Sequence, residues 1–173
     1  MATEHLISLG RRRIGFLGDA SLPEIGQRHA GYLAACRRAG MTPDPRLDAP
    51  AQFAPDTAEQ AACRMIAENP DIDAIFAASD VIALAALNAV KRAGRRTPQD
   101  VAVVGFDDTA IAAHTSPPLT TVRQDLGLAA KLMVYQLFHR LEGEPADSIT
   151  LRPELVVRPS TVAASAEMQR QAV

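Results

Sequence analysis

The sequence predicts an α/β fold, in which a parallel sheet carries helices on both faces. Short apolar runs alternate along the chain with segments whose apolar residues recur at the spacing of a helix. The apolar runs are continuous, as expected of strands that are buried on both faces of a sheet. The chain has 173 residues, of which 47% are hydrophobic and 22% are charged, enough for one folded domain and unlike a disordered chain.

The first predicted elements are a helix end, a strand and a helix. Thr3–Leu9 has the pattern of the last turns of a helix, and Gly10 is placed to cap it. Arg13–Gly18 is an apolar run of strand-forming residues, which predicts a buried strand. Glu24–Ala39 carries apolar residues at helical spacing and ends at Gly40, which predicts an amphipathic helix.

An irregular segment then precedes a second helix. Prolines interrupt Thr42–Pro50, so Leu47–Phe53 is expected to form at most a short, irregular edge strand. Asp56 or Thr57 can cap a helix that runs to Glu68.

The middle of the chain repeats the alternation of strand and helix. Ala74–Ala78 is a strand candidate, and the Ser79-Asp80 pair offers capping side chains for a helix over Val81–Ala93. Val101–Phe106 predicts a buried strand that leads directly into two aspartates.

The last part of the chain contains two strand candidates and a long helix. Leu119–Gln124 is strand-like, Leu126–Glu142 is helical, and Leu155–Arg158 is the last strand candidate. Apolar residues cover much of the circumference of the long helix, which therefore needs packing partners. Val162–Val173 has little to bury and is expected to fray.

Charge and hydropathy exclude several classes of protein. Lys and Arg number 18 against 20 Asp and Glu, a net charge of −2, so the chain lacks the broad positive field that drives nonspecific DNA binding. The basic cluster Arg11–Arg13 is interpreted as a solvated turn. This cluster follows the first apolar stretch, whereas a secretory signal places its charge before the apolar core. No apolar run reaches the roughly 20 residues needed to span a bilayer, so neither export nor a membrane span is expected.

Cysteine and histidine residues predict no metal site. Cys36 and Cys63 stand singly in helical segments, which excludes a disulfide framework and favours a reducing cytoplasm. The histidines occupy separate elements without metal-ligand spacing: His5, His29, His114 and His139. Neither a metal nor a cofactor is expected.

Four short segments follow directly after predicted strands: Asp19–Ser21, Phe53, Ser79-Asp80 and Asp107-Asp108. The carboxyl ends of parallel strands lie at one edge of a sheet, where open α/β sheets bind their ligands. The sequence therefore predicts a single candidate site formed by these segments.

Several spaced motifs resemble the lactose/galactose-repressor family of bacterial transcription regulators. The similar segments are, in order, HLISLGRRRIGFLG, QRHAGYLAACRRAG, DAIFAASDVIALAALNAVKRAG, VAVVGFDDTAIAAHTSPPLTTVRQD and the closing PELVVRPST. Together they extend over residues 4–161, nearly the whole chain.

The resemblance implies a fold similar to the type I periplasmic sugar-binding proteins, in which two α/β lobes close on a small ligand. Residues 1–123 then form most of the C-terminal lobe, 124–150 contain a helix of the N-terminal lobe, 151–161 return as a strand, and 162–173 form a flexible tail. The family's helix-turn-helix and the first half of its sensing region have no counterpart in this sequence. Largely one lobe is therefore expected.

The resemblance also implies which residues bind the effector. Arg28 occupies the arginine position of an R-x-x-G-aromatic motif, and Asp107 matches the first aspartate of a G-[YF]-D-D motif. Guanidinium donors and a carboxylate acceptor suit hydroxyl groups. The alternatives are a solvated arginine at a helix start and capping of the turn at Thr109–Ala113 by the aspartates. Asp108 is assigned to local structure.

Further candidates are weaker. Phe53 falls where the family often places an aromatic side chain against the ligand, with core packing as the alternative. Ser79 stands where asparagine is frequent, Asp80 keeps the usual acid, and Asp19 borders the same expected cleft.

The resemblance implies the effector-sensing and dimerising portion of a cytoplasmic transcription repressor. A small sugar-like effector would bind between two lobes, and operator DNA would be contacted only through an N-terminal domain that is missing here. A homodimer is expected. The alternative is a solute-binding receptor of a sugar transport system. An enzyme is not expected, because neither a G-x-S-x-G motif nor a phosphate-binding loop is found.

Overall fold

The structure is a computed structural model that describes residues 1–52, 54–145 and 148–163. Its helices are α1 (Ala2–Ser8), α2 (Pro23–Arg38), α3 (Pro55–Glu68), α4 (Asp80–Arg92) and α5 (Leu126–Leu141). Its strands are β1 (Ile14–Leu17), β2 (Asp48–Ala49), β3 (Ala74–Ala77), β4 (Ala102–Asp107), β5 (Thr120–Arg123) and β6 (Glu154–Val156). Short 3-10 turns occur at Pro45–Leu47 and Ala110–His114.

The strands form one sheet in the order β2-β1-β3-β4-β5-β6. The pairs from β2 to β5 are parallel, which confirms the predicted α/β class, and β6 alone runs antiparallel, against β5. From β1 the chain continues to β2 on one side, and β3 then pairs on the other side of β1. The strand order reverses there, and such a reversal opens a crevice at the carboxyl ends of the strands.

Helices cover both faces of the sheet, as predicted. On β1, Gly15 faces Met65 of α3, while the next residue, Phe16, packs its ring against Tyr32 of α2. Neighbouring residues of a strand point to opposite faces, so α2 and α3 lie on opposite sides. Helix α1 packs against α2, and α4 packs against α3. All residues of β1 and β3 are buried, in agreement with their continuous apolar sequence.

A buried tyrosine fixes helix α2 relative to β1. The Tyr32 hydroxyl donates to the backbone oxygen of Ile14 over 2.8 Å, and burial raises the pKa of this phenol. Ile14 begins β1, whereas Arg28 precedes Tyr32 by one helical turn. Arg28 is thereby directed toward the carboxyl ends of the strands.

The segment after β6 is built into the same lobe. Ser160 is fully buried, its hydroxyl donates to the backbone oxygen of Val103 (2.6 Å), and it accepts from the backbone nitrogen of Thr120 (2.8 Å). Thr161 reaches Nε2 of His5 at 2.9 Å and so connects this segment to α1. The predicted strand return is therefore an integral part of the sheet edge. The tail predicted to be flexible falls, from residue 164 on, outside the described residues.

Helix α5 differs from the other long helices because none of its residues is buried. Its large apolar side chains remain exposed: Leu126, Leu128, Met133, Val134, Tyr135, Leu137, Phe138 and Leu141. The need for packing partners that the sequence predicts is thus unmet within the described chain. None of the helices within the described ranges has the length and apolar character required to cross a bilayer.

We expect Gly105→Ala to lower the free energy of unfolding by about 2 kcal/mol, because overpacking a tight core site costs about 1–3 kcal/mol. A Cβ atom at Gly105 would lie 2.5 Å from Asp80 Oδ1 and 2.9 Å from Leu119 Cδ2. Gly31→Ala is the matched control, since nothing lies within 4 Å of its Cβ position on α2. That change should raise stability by about 0.5–1 kcal/mol. Equal effects of both changes in chemical denaturation would contradict this packing.

Candidate functional site

The candidate site lies at the carboxyl ends of β3 and β4 and centres on Arg28. Its Nη1 donates to the backbone oxygen of Ala78 over 2.5 Å. Its guanidinium carbon lies 3.8 Å from the centroid of the Phe106 ring, a cation–π contact. Its Nη2 is 3.7 Å from Oδ1 of Asp107. These contacts hold the guanidinium in place while it faces a carboxylate.

Asp107 ends β4 with an unusual backbone, at a φ of 107°. Its Oδ1 also accepts a hydrogen bond from Nε2 of Gln124, over 3.3 Å. Burial raises the pKa of Asp107, an effect opposed by the guanidinium of Arg28 and increased by the nearby charge of Asp80. We call Arg28, Phe106, Asp107 and Gln124 the rim site.

The rim site offers complementary hydrogen-bonding chemistry beside an apolar ring. Arginine supplies several donors in a fixed plane, and a carboxylate accepts from up to two hydroxyl groups. Orienting polar groups beside an aromatic surface are typical of small-molecule sites. The arrangement suits a ligand that presents several hydroxyl groups and an apolar face. Within the described ranges no cluster of His, Cys, Asp and Glu could hold a metal ion.

Asp108 makes internal ion pairs. Its Oδ2 accepts from Nε of Arg123 over 2.6 Å, and its Oδ1 lies 2.8 Å from Nη2 of Arg158. Burial acts to raise the pKa of Asp108, but the two guanidiniums outweigh it and hold the pKa below its usual value. The predicted alternative of capping the Thr109–Ala113 turn is wrong for Asp108, whose carboxylate pairs with these arginines instead.

Asp80 lies beneath the rim and has no exposed surface. Its Oδ2 accepts from the backbone nitrogen of Thr109 (2.6 Å) and from its hydroxyl (2.9 Å), and its Oδ1 accepts from Thr121 Oγ1 (2.6 Å). Burial raises the pKa of Asp80, and these donors oppose the shift. Ser79, also buried, caps α4 by accepting from the backbone nitrogen of Ile82. Both predicted site residues therefore have internal partners in place of a surface that faces the crevice.

Asp19 and Phe53 complete the set of predicted site residues. Asp19 accepts from the backbone nitrogen (3.1 Å) and hydroxyl (2.6 Å) of Ser21, and these bonds lower its pKa. They stabilise the turn after β1. Phe53 lies outside the described residues.

Phe106 and Gln124 were missed by the sequence analysis. Phe106 was interpreted only as the last residue of a buried strand. Gln124 carried a usable signal, because it ends a predicted strand and the carboxyl ends of parallel strands share one edge.

A groove of about 900 Å³ runs from the rim site along α5. Phe106 and Gln124 belong to its lining, together with apolar residues of α5 such as Leu132 and Leu137, and the segment Ile149–Pro153. The rim site and the exposed face of α5 are therefore continuous.

Comparison with known proteins places these features in a family. Residues 3–161 match the periplasmic binding protein-like domain. The transcriptional regulator CelR of Thermobifida fusca, described as helix-turn-helix type, is 40% identical over 162 residues, which is 92% of this chain and 48% of that protein. The MalR regulator of Streptomyces coelicolor is 35% identical over 98% of this chain and 51% of its own length. The chain thus spans about half the length of these relatives.

Solved structures agree. A complex of the regulator CelR with cellobiose superposes with a TM-score of 0.83 and 38% identity, over 91% of this chain and 49% of that one. A dimeric lac repressor superposes with a TM-score of 0.87 and 30% identity, over 94% of this chain and 60% of that one. The resemblance that the sequence motifs predicted is confirmed. The chain therefore belongs to the periplasmic binding protein-like domain family, in the group of the lactose/galactose-repressor transcription regulators.

Proposed function

We propose that this chain is the effector-sensing and dimerising portion of a cytoplasmic transcription repressor, and that its effector is a small saccharide or a similar polyhydroxyl metabolite. One observation carries the proposal: Arg28, Phe106 and Asp107 converge at the ligand-binding edge of a fold shared with transcription regulators. Support for a saccharide comes from the CelR relative, whose structure is described as a complex with cellobiose.

Within this proposal, Arg28 donates to effector oxygens and Asp107 accepts from effector hydroxyls. The ring of Phe106 holds the guanidinium of Arg28 in position, and Gln124 orients the carboxylate of Asp107. We assign Asp80 and Ser79 supporting roles, because their polar atoms are buried and bonded internally. The roles of Phe53 against the ligand and of Asp19 at the border of the cleft remain predictions.

The exposed apolar face of α5 supports a second lobe, which would cover this helix. We infer that residues 1–123 form the C-terminal lobe, and that α5, within 124–150, packs in the N-terminal lobe. Its uncovered apolar side chains and the groove that reaches the rim site support this division. An effector shifts the equilibrium between lobe arrangements only by the difference in its binding free energy for them. The effector would therefore act by binding the closed arrangement more tightly.

DNA binding is assigned to a part of the protein outside this sequence, since a net charge of −2 provides no positive field. A homodimer is proposed because a lac repressor relative is described as dimeric. The alternative of a solute-binding transport receptor has less support, because the relatives found are transcription regulators.

The size of the native polypeptide tests the two-lobed regulator. An antibody raised against this 18.5 kDa chain should detect, in source cells, a band of about twice that mass, since the chain spans 48% of its CelR relative. A band at 18.5 kDa would instead indicate a protein without a second lobe or a DNA-binding domain. The repressor function would then be withdrawn.

Substitutions at the rim site test the effector contacts. In the protein as it occurs in its source cells, Arg28→Ala and Asp107→Asn should each weaken cellobiose binding about 10- to 100-fold, because a hydrogen bond to a charged group contributes about 1.5–3 kcal/mol. Isothermal titration calorimetry measures this change. Arg37→Ala, an exposed arginine near the end of the same helix, is the control and should bind like the wild type. Wild-type affinity in both rim variants would contradict the assignment.

Cellobiose affinity should also depend on pH through Asp107. Only the ionised carboxylate is a pure acceptor, and its pKa in the free protein lies above the usual value of about 3.9. Cellobiose should therefore bind most tightly near neutral pH. As the pH is lowered, binding should begin to weaken at a higher pH than the range in which an ordinary aspartate titrates. Asp107→Asn should remove this dependence. A wild-type affinity that stays constant down to pH 4 would contradict the role of the carboxylate.

A further inference from the structure

We propose that Asp108 is a positioning residue, which holds the corner of the chain that presents Asp107 to an effector and ties this corner to the end of β5 and to the segment after β6. The inference rests on the proposed function, because it concerns the same rim site. It assigns Asp108 no direct contact with the effector.

The first support is the charge pairing of Asp108. Arg123 and Arg158 approach different oxygens of its carboxylate, at 2.6 and 2.8 Å, and only 9% of the side chain is exposed. Paired guanidiniums around a largely buried carboxylate restrict its position far more than solvated ion pairs do. The backbone nitrogen of Asp108 also donates to Thr121 Oγ1, over 3.3 Å.

The second support is the backbone of the corner. Asp107 and Asp108 have φ values of 107° and 49°, and among the described residues other than glycine they alone have positive values. Side chains with a Cβ disfavour this region, and such conformations persist only where the surroundings impose them. The ion pairs of Asp108 supply such a restraint next to Asp107, whose carboxylate must point toward Arg28.

The third support is the position of the two arginines in the chain. Arg123 ends β5, immediately before Gln124 and α5, and Arg158 lies two residues beyond β6, where the chain has returned. Arg123 also lies 3.7 Å from the carboxylate of Glu154 on β6. Asp108 is therefore paired with the last residue of the strand that leads into α5 and with the segment that follows the returning strand β6.

Asp108→Asn tests the inference because it keeps the side-chain volume and removes the charge. If Asp108 acts through Asp107, this change should weaken cellobiose binding about 10-fold in the otherwise wild-type protein. In an Asp107→Asn background it should weaken binding less than 2-fold, since interacting residues are not additive. The cycle is measured in the protein as it occurs in its source cells. Equal losses in both backgrounds would overturn the inference.

Asp100→Asn is the matched control. Asp100 is likewise paired with an arginine, Arg96, but it precedes β4 at the opposite end of the sheet. Asp100→Asn should lower the free energy of unfolding, measured by chemical denaturation, without changing cellobiose affinity. If Asp108→Asn behaves like Asp100→Asn and alters stability alone, then Asp108 has a structural role only and the inference is wrong.

A ligand-free measurement separates this inference from the proposed function. Carboxyl ¹³C NMR should show the titration midpoint of Asp107 moving down toward the ordinary value in both Asp108→Asn and Arg123→Gln, because a relaxed corner exposes the buried carboxyl in each. The lost charge alone would lower the midpoint in the first variant and raise it in the second. If the wild type does not bind cellobiose, cellobiose is not the effector, and the titration midpoint of Asp107 alone decides the inference. An unchanged midpoint would overturn it.

Should Asp108→Asn not fold, Arg123→Gln removes one of the two guanidiniums from a more exposed position. It should shift the Asp107 midpoint in the same direction by a smaller amount. No shift in a folded Arg123→Gln variant would contradict the inference.

Discussion

The rim site depends on the hydrogen bonds that the buried carboxylate of Asp80 accepts. This carboxylate joins the start of α4, the loop after β4 and strand β5 through bonds from Thr109 and Thr121. Asp107 and Asp108 immediately precede Thr109, so the bond from Thr109 to Asp80 restrains the part of the chain that carries them. A buried carboxylate without partners is strongly unfavourable, so the three elements are held together at this point. The absence of a side chain at Gly105 leaves room for Oδ1.

Arginine side chains offset the negative charges of the aspartates around the rim site. Three aspartates, at positions 80, 107 and 108, lie near one another, and the charge of Asp80 raises the pKa of Asp107. Arg28 faces Asp107, while Arg123 and Arg158 pair with Asp108. Asp108 thus has its own pair of cations, whereas Asp107 is 3.7 Å from one arginine that is also bound to Ala78. Asp107 is therefore the carboxylate whose remaining hydrogen-bonding capacity faces the crevice.

The sequence predicted the strands and helices well because burial on both faces leaves continuous apolar runs, as at β1 and β3. It also directed attention to the strand ends, where Arg28 and Asp107 meet. Position after a strand did not by itself separate Asp80 from Asp107, since only tertiary packing decides which carboxylate is covered; Asp107 ranked higher only because of the family motif. The antiparallel direction of β6 depends on the course of α5, which no local pattern encodes.

The rim site lies between elements that pack on the central sheet and the connection to α5, a helix with no buried residue. Arg28 and Asp107 are carried by α2 and β4, which pack on the central sheet, whereas Gln124 begins the connection to α5. The groove along α5 starts at Gln124 and Phe106, so whatever covers α5 also approaches the rim. Contacts within α2 and β4 alone would bind an effector equally well in every lobe arrangement and would shift no equilibrium. In the proposed regulator, the difference in affinity must therefore arise where Gln124 meets Asp107 and where the covering lobe reaches the ligand.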